Sequence, residues 1–172
     1  MTSMSKAVLI SIKPEWCEKI FAGKKTIEIR KSTPKLKPPF KCYIYCTKDG
    51  FKSIFQDGAA FLSHNAHVCN GKVVGEFVCD HLCQIRVFSD GAIQGYHFNK
   101  LEDSCLSYDE IAEYIGAGYK GSGWHISNLV LYDKPKELSN FEVERYPTMD
   151  LLKRPPQSWC YVEEWSGGGQ DG

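Results

Sequence analysis

The sequence predicts a mainly β fold with peripheral helices, of the α+β class, whose strands close into a β-barrel. Three observations favour it: strand-like segments outnumber helical ones, glycine and proline separate them, and strands and helices do not alternate regularly. A chain of 172 residues, 42% of them hydrophobic, is long enough to bury one core without a metal or a disulfide. We therefore expect one domain over residues 1–165.

The first elements follow from hydrophobic periodicity. Residues 7–12 form an apolar run typical of a short buried strand, and Pro14 then suits the first turn of a helix. Gly23 is expected to end that helix in the left-handed conformation. Strands are predicted over residues 26–31 and 41–47, the second with side chains that alternate between two faces.

The second half of the chain adds fewer and longer elements. Gly75 permits a close backbone approach within a strand. Ser107 and Glu110 form a capping box at the start of a helix. The predicted elements are a long strand or bent pair over residues 73–87, a helix over 106–115, and strands over 124–132 and 158–163.

Two segments do not fit this pattern of elements. Residues 49–70 are predicted as an insertion that decorates the barrel, with a turn at Asn70 and Gly71. Residues 166–172 are rich in glycine, and we expect them to be a disordered tail.

The charge balance limits the classes of partner. Lysine plus arginine and aspartate plus glutamate both number 21, so no long-range field favours extended duplex DNA. The first 41 residues are locally basic, which favours a small anionic partner. A five-residue apolar run follows Lys6, without a signal peptide or a membrane-spanning segment. We therefore expect a cytoplasmic protein with reduced cysteines and no membrane partner.

The stretch from Gly23 to Arg30 places three charged residues at a strand entrance. In an extended strand, Ile27 and Ile29 point to one face, while Glu28 and Arg30 point to the other. Lys25 lies in the turn at the mouth of that polar row. Such a cluster can bind an anion, or it can form an ordinary solvated face of ion pairs.

The same stretch resembles a known family signature. Gly23, Lys25, Glu28 and Arg30 fit the pattern G-x-K-x-x-E-x-R of the ASCH (activating signal cointegrator homology) domains, which resemble the PUA RNA-binding fold. The resemblance extends to three further segments: residues 8–22, 71–79 and 123–135. It implies a PUA-like β-barrel with a cleft between the barrel and the first helix.

The resemblance implies a module that binds RNA or a nucleotide in a small basic cleft. Lys25 and Arg30 would hold a phosphate or a base edge, and Glu28 would orient Arg30. Thr26 would lie nearby, and so would Lys13, which follows the first strand.

A hydrolase in the same cleft is the alternative. Lys25 would have to lose its proton, and Glu28 would be its proton partner. Some ASCH-like proteins are amidohydrolases that act on acylated cytidine, such as N4-acetylcytidine, and others resemble ribonucleases. The amidohydrolases carry a threonine where this chain has Glu28, and their further carboxylate would correspond to Glu76 or Glu110.

Aromatic residues in the last third are also candidates for RNA contacts. Tyr119, in a predicted glycine-rich loop over residues 118–123, could stack on a base, and Lys120 could reach a phosphate. An incidental tyrosine and lysine in a hairpin are the alternative. Trp124 and Trp159 flank strands and are expected to pack in the core.

No metal site and no cofactor are predicted. Cys79, His81 and Cys83 fall on one face of an extended strand, but the paired cysteine spacing of structural zinc sites is missing. A third functional class is a protein-interaction module that uses residues 49–70.

Overall fold

The computed structural model describes residues 5–48, 70–95, 101–145 and 148–167. The predicted insertion lies outside these residues except for Asn70, and the predicted tail lies outside them except for Ser166 and Gly167. The strands are β1 (Lys6–Ile12), β2 (Ile27–Arg30), β3 (Phe40–Cys46), β4 (Lys72–Val87), β5 (Ile93–Gly95), β6 (Lys120–Lys136), β7 (Glu142–Arg145), β8 (Thr148–Leu151) and β9 (Trp159–Glu163). The α-helices are α1 (Pro14–Phe21) and α2 (Tyr108–Ile115), and 3-10 turns cover Leu101–Ser104 and Leu138–Asn140.

Seven strands form one sheet with the order β2-β6-β4-β3-β1-β9, and β5 pairs with β4. β1 and β3 run parallel, and the other pairs are antiparallel. β7 and β8 form a separate hairpin. The prediction of a mainly β, α+β fold is confirmed. Among the described strands the sheet is an open path from β2 to β9, so closure into a barrel is not confirmed.

The alternation predicted for β3 separates two parts of the core. Cys42, Ile44 and Cys46 pack in one buried cluster with β1 and α1. Tyr43 and Tyr45 pack in a second cluster, on the opposite face. A third cluster holds the apolar face of β2 against α2. β2 therefore has one face in the core and one face available for a site.

The end of α1 positions the start of β2. Gly23 has a φ of +73°, which confirms the predicted left-handed cap. The amide of Gly23 donates to the carbonyl of Ile20, and the amide of Lys24 donates to that of Lys19. These two bonds form a Schellman motif. Because the Lys25 amide also donates to the Lys19 carbonyl, at 3.1 Å, the chain leaves the helix in a fixed direction.

Gly75 lies where two parts of the backbone meet closely, as predicted. A Cβ atom at this position would lie 2.3 Å from the carbonyl oxygen of Val130 and 2.8 Å from Cζ of Phe21. The glycine thus allows β4 to approach β6 and the last residue of α1.

The start of β6 corrects one prediction. The sequence suggests a loop over residues 118–123, but β6 already begins at Lys120. A Cβ at Gly121 would lie 2.9 Å from the carbonyl oxygen of Arg30 and 2.7 Å from Cδ1 of Ile115. This glycine therefore serves close packing. β6 also extends past Pro135, to Lys136, and the hairpin of β7 and β8 was not predicted.

None of the helices described is long and apolar enough to cross a lipid bilayer.

Candidate functional site

Lys25 is buried, with its side chain 2% exposed, and it has three partners. Its ammonium group donates to the carbonyl oxygen of Ser104 at 2.6 Å. It lies 3.3 Å from Oε2 of Glu28 and 5.1 Å from the centre of the Trp16 ring. A carbonyl oxygen, a carboxylate and an aromatic face are all partners that suit an ammonium group.

Glu28 connects Lys25 to Arg30. Its Oε1 lies 2.6 Å from a terminal nitrogen of Arg30, and the side chains are 6% and 11% exposed. The other terminal nitrogen of Arg30 donates to the carbonyl oxygen of Ser11 at 2.7 Å. The three charged groups thus converge. Glu28 and Arg30 share a face of β2, as the alternation predicts, and the hydrogen bond to Ser11 in β1 holds Arg30 in place.

Several polar atoms here have unused hydrogen-bonding capacity among the residues described. Oε2 of Glu28 accepts no hydrogen bond, although it lies near the Lys25 ammonium. The Nε of Arg30 and the hydroxyl of Thr47 are also buried without a hydrogen-bond partner. Such groups are costly to leave unsatisfied, and at a cavity wall a ligand or water can satisfy them.

These residues border a cavity of about 540 Å³. Ligand pockets commonly measure roughly 300–1,000 Å³, so this volume accommodates a nucleoside-sized molecule. The charged residues in its wall are Lys13, Lys25, Arg30, Glu28 and Glu110. Three cations against two anions give the cleft a small positive excess.

The other predicted site residues are distributed unequally. Lys13 is exposed, precedes α1 and lines the cavity. Thr26 does not line it, and its amide and carbonyl form backbone hydrogen bonds with Asp103 and Ile126. Tyr119, which is 69% exposed, and Lys120 lie outside the lining, beside the end of β4.

The two candidate carboxylates are also separated. Glu110 lines the cavity from α2, where its side chain accepts a hydrogen bond from the Ser107 amide, which lowers its pKa. Glu76, on β4, does not line the cavity, and its carboxylate contacts Lys41 and the hydroxyl of Tyr132. Only Glu110 is placed to act in the cavity.

Sequence reasoning missed several lining residues that come from distant segments. Ser11, at the end of β1, and Thr47, just after β3, enter from neighbouring parallel strands. Trp16 and Tyr114 add aromatic surface from the two helices. The remaining lining residues are Ile29, Leu106, Gln157 and Ser158. Two of these residues are near the charged motif in the sequence: Ile29 lies within it, and Trp16 lies on the helix directly before it.

The candidate metal ligands on β4 do not share a face. A β-bulge between Cys79 and Leu82 interrupts the alternation, so His81 is exposed while Cys79 and Cys83 are buried in different clusters. Within the described ranges, no group of three or more histidine, cysteine, aspartate or glutamate side chains is arranged to hold a metal ion. Trp124 is fully buried and Trp159 packs against it.

Comparisons with known proteins bear on the fold and on the family. The fold is similar to crystal structures of an ASCH protein from Zymomonas mobilis, at 18% identity and a TM-score of 0.56, covering 92% of this chain and 88% of that one. A mutant protein with phenylalanine in place of tyrosine gives the same identity and TM-score, with 93% and 92% coverage. No curated protein matches the sequence. The ASCH domain model matches residues 10–96, which is more than half of the 172 residues. The chain belongs to the ASCH domain family.

Proposed function

We propose that the protein binds unpaired RNA or a nucleotide in the cavity beside β2. The observation that carries this proposal is the unused hydrogen-bonding capacity of Glu28, Arg30 and Thr47 in the wall of a nucleoside-sized cavity. The PUA-like RNA-binding fold of the ASCH family supports the same class of ligand. Lys13 lies at the rim, where a phosphate of the ligand can remain partly solvated.

Binding is local in this proposal. The formal net charge of the chain is zero, so the affinity arises from contacts in the cavity and depends only modestly on salt. Tyr119 and Lys120 are then at most a secondary contact for a longer RNA, because they lie outside the lining. The proposal places the protein in the cytosol, where its cysteines stay reduced.

A matched pair of lysine variants tests the proposal. Lys13 and Lys153 are both exposed, but only Lys13 lines the cavity. Titration of a short fluorescent single-stranded RNA should show weaker binding for Lys13→Ala, with the salt slope reduced by about 0.7 for one lost phosphate contact. Lys153→Ala should match the unaltered protein. Equal affinity and equal slope in both variants would reject the cavity as the binding site.

A hydrolase is the second candidate. Oε2 of Glu28 is buried, accepts no hydrogen bond and lies 3.3 Å from the Lys25 ammonium, so it can act as a proton acceptor in the cavity. The hydrolase ranks second because every partner of Lys25 suits the charged form of its side chain, whereas a nucleophilic lysine must be neutral. Incubation with N4-acetylcytidine should release cytidine if this function holds, and incubation with RNA should yield fragments if it is a ribonuclease. Wild-type protein that releases neither product would exclude it.

The protein-interaction class depends on residues 49–70, which lie outside the described residues except for Asn70, so it stays a prediction.

A further inference from the structure

The buried wall of the cavity offers both an acceptor and a donor to a ligand. The acceptor is Oε2 of Glu28, whose side chain is 6% exposed, and the donor is the Nε of Arg30, whose side chain is 11% exposed. Both residues line the cavity from the same face of β2. A ligand that satisfies both atoms must itself present a hydrogen and a lone pair.

A phosphate group does not fit this pair. An ionised phosphate offers only acceptors, so it could satisfy Arg30 but would leave Glu28 facing a second negative charge. Like charges at contact distance in a poorly solvated site repel strongly. The two cations that would offset this repulsion, Lys25 and Arg30, are already held by Glu28 and by the carbonyl oxygens of Ser104 and Ser11.

The Watson–Crick edge of a nucleobase does fit. Each of the four RNA bases carries there an N–H donor next to a ring-nitrogen or carbonyl acceptor, and proteins read these edges where the base is unpaired. The edge is uncharged, so it can enter a buried site without the desolvation cost of a phosphate. The hydroxyl of Thr47, which can donate or accept, adds a third contact that suits more than one base.

We infer that the buried end of the cavity receives the Watson–Crick edge of an unpaired base, with Glu28 accepting from the base and Arg30 donating to it. The phosphate remains at the rim near Lys13. This inference rests on the proposed function and makes it more specific: Glu28 and Arg30 become specificity-determining residues, and base-paired RNA is excluded because its edges are occupied.

Methylated nucleotides test the inference by calorimetry. The tightest-binding of the four ribonucleoside monophosphates is compared with the same nucleotide methylated on the edge nitrogen that donates: N1 of guanine, N3 of uracil, or the amino nitrogen of adenine or cytosine, dimethylated. Each of these changes leaves the base uncharged. The edge methyl should weaken binding about 10-fold or more, because it blocks the hydrogen bond to a buried polar group. A methyl at C8 or C5, away from that edge, is the matched control. Ribose 5-phosphate, which lacks the base, should bind much more weakly.

Glu28→Gln provides a readout that a purely structural role would not produce. Removing the carboxylate should reduce the discrimination against the edge-methylated nucleotide and strengthen binding of ribose 5-phosphate. Equal binding of the edge-methylated and the parent nucleotide by the unaltered protein, or tight binding of ribose 5-phosphate, would overturn the inference and leave the proposed function standing. If neither RNA nor any monophosphate binds, the proposed function fails and this inference fails with it.

Discussion

The ammonium group of Lys25 donates a hydrogen bond to the carbonyl oxygen of Ser104, 79 residues further along the chain, at 2.6 Å. This bond joins the entrance of β2 to the turn that precedes α2. Since Lys25 also contacts Glu28, its side chain links the charged residues of β2 to the part of the cavity wall that α2 provides. Changes at either end should therefore affect both stability and binding.

Replacing Lys25 should be the most costly change at the site. Lys25→Met keeps much of the buried volume but removes a cation from a buried ion pair and a donor from Ser104. Breaking such a pair on one side costs about 3–5 kcal/mol. We expect a loss of that order in urea unfolding. Lys24→Met, at the exposed neighbouring position, should change stability by less than about 0.5 kcal/mol. Equal stability of the two variants would show that the buried contacts of Lys25 contribute nothing.

The capping box at the start of α2 should stabilise the wall of the cavity. The Ser107 hydroxyl accepts from the Glu110 amide, and the Glu110 side chain accepts from the Ser107 amide. Ser107→Ala should cost about 1 kcal/mol of stability and weaken RNA binding, because Glu110 and Tyr114 line the cavity. Glu113→Ala, on the exposed side of the same helix, should be nearly neutral in both assays. Unchanged thermal unfolding of Ser107→Ala would contradict this role.

Gly75 should not tolerate a side chain. In Gly75→Ala, the added Cβ would lie 2.3 Å from the Val130 carbonyl oxygen, so two paired strands would have to separate. Overpacking of this kind costs about 1–3 kcal/mol, and denaturant midpoints would measure it. Gly95→Ala is the comparison, because its nearest atom is Cδ1 of Leu101, the end of a side chain, at 3.3 Å. The prediction fails if the two variants unfold at the same midpoint.

Alkaline pH should destabilise the protein partly through Cys79. Burial raises the pKa of the Cys79 thiol from 9.0 to about 12. Between these two pH values the thiol ionises in the unfolded chain but stays protonated in the folded protein, so the free energy of unfolding falls as the pH rises. Cys79→Ala should lower stability near pH 7 through a small cavity, yet flatten this alkaline slope. Unfolding curves from pH 8 to 11 would measure it, and an unchanged slope would argue against the shift.

The local elements were predictable because their signals lie within a few residues. Gly23 ends α1, Ser107 and Glu110 cap α2, and the two faces of β3 follow its alternation. The convergence of Glu28 and Arg30 was predictable for the same reason, since a strand repeats every second residue.

What the sequence did not reveal depends on contacts between distant segments. Gly121 lies in the predicted glycine-rich loop over residues 118–123, but it has to be glycine because Arg30 and Ile115 lie against it. The bulge after Cys79 arises in the pairing of β4 with β6. Simple alternation along the sequence of β4 therefore predicts that His81 shares a face with Cys79 and Cys83, which it does not. Thr47 and Gln157 reach the cavity only through the order of strands in the sheet.

The wall of the cavity is divided between two regions of the chain. The charged trio lies inside the matched family segment at residues 10–96, whereas Leu106, Glu110, Tyr114, Gln157 and Ser158 lie beyond it. Substitutions on α2 or just before β9 can therefore change the shape of the cavity without replacing Lys25, Glu28 or Arg30. Under the proposed function, such substitutions would change which related ligands are preferred, while Lys25, Glu28 and Arg30 keep their places in the wall.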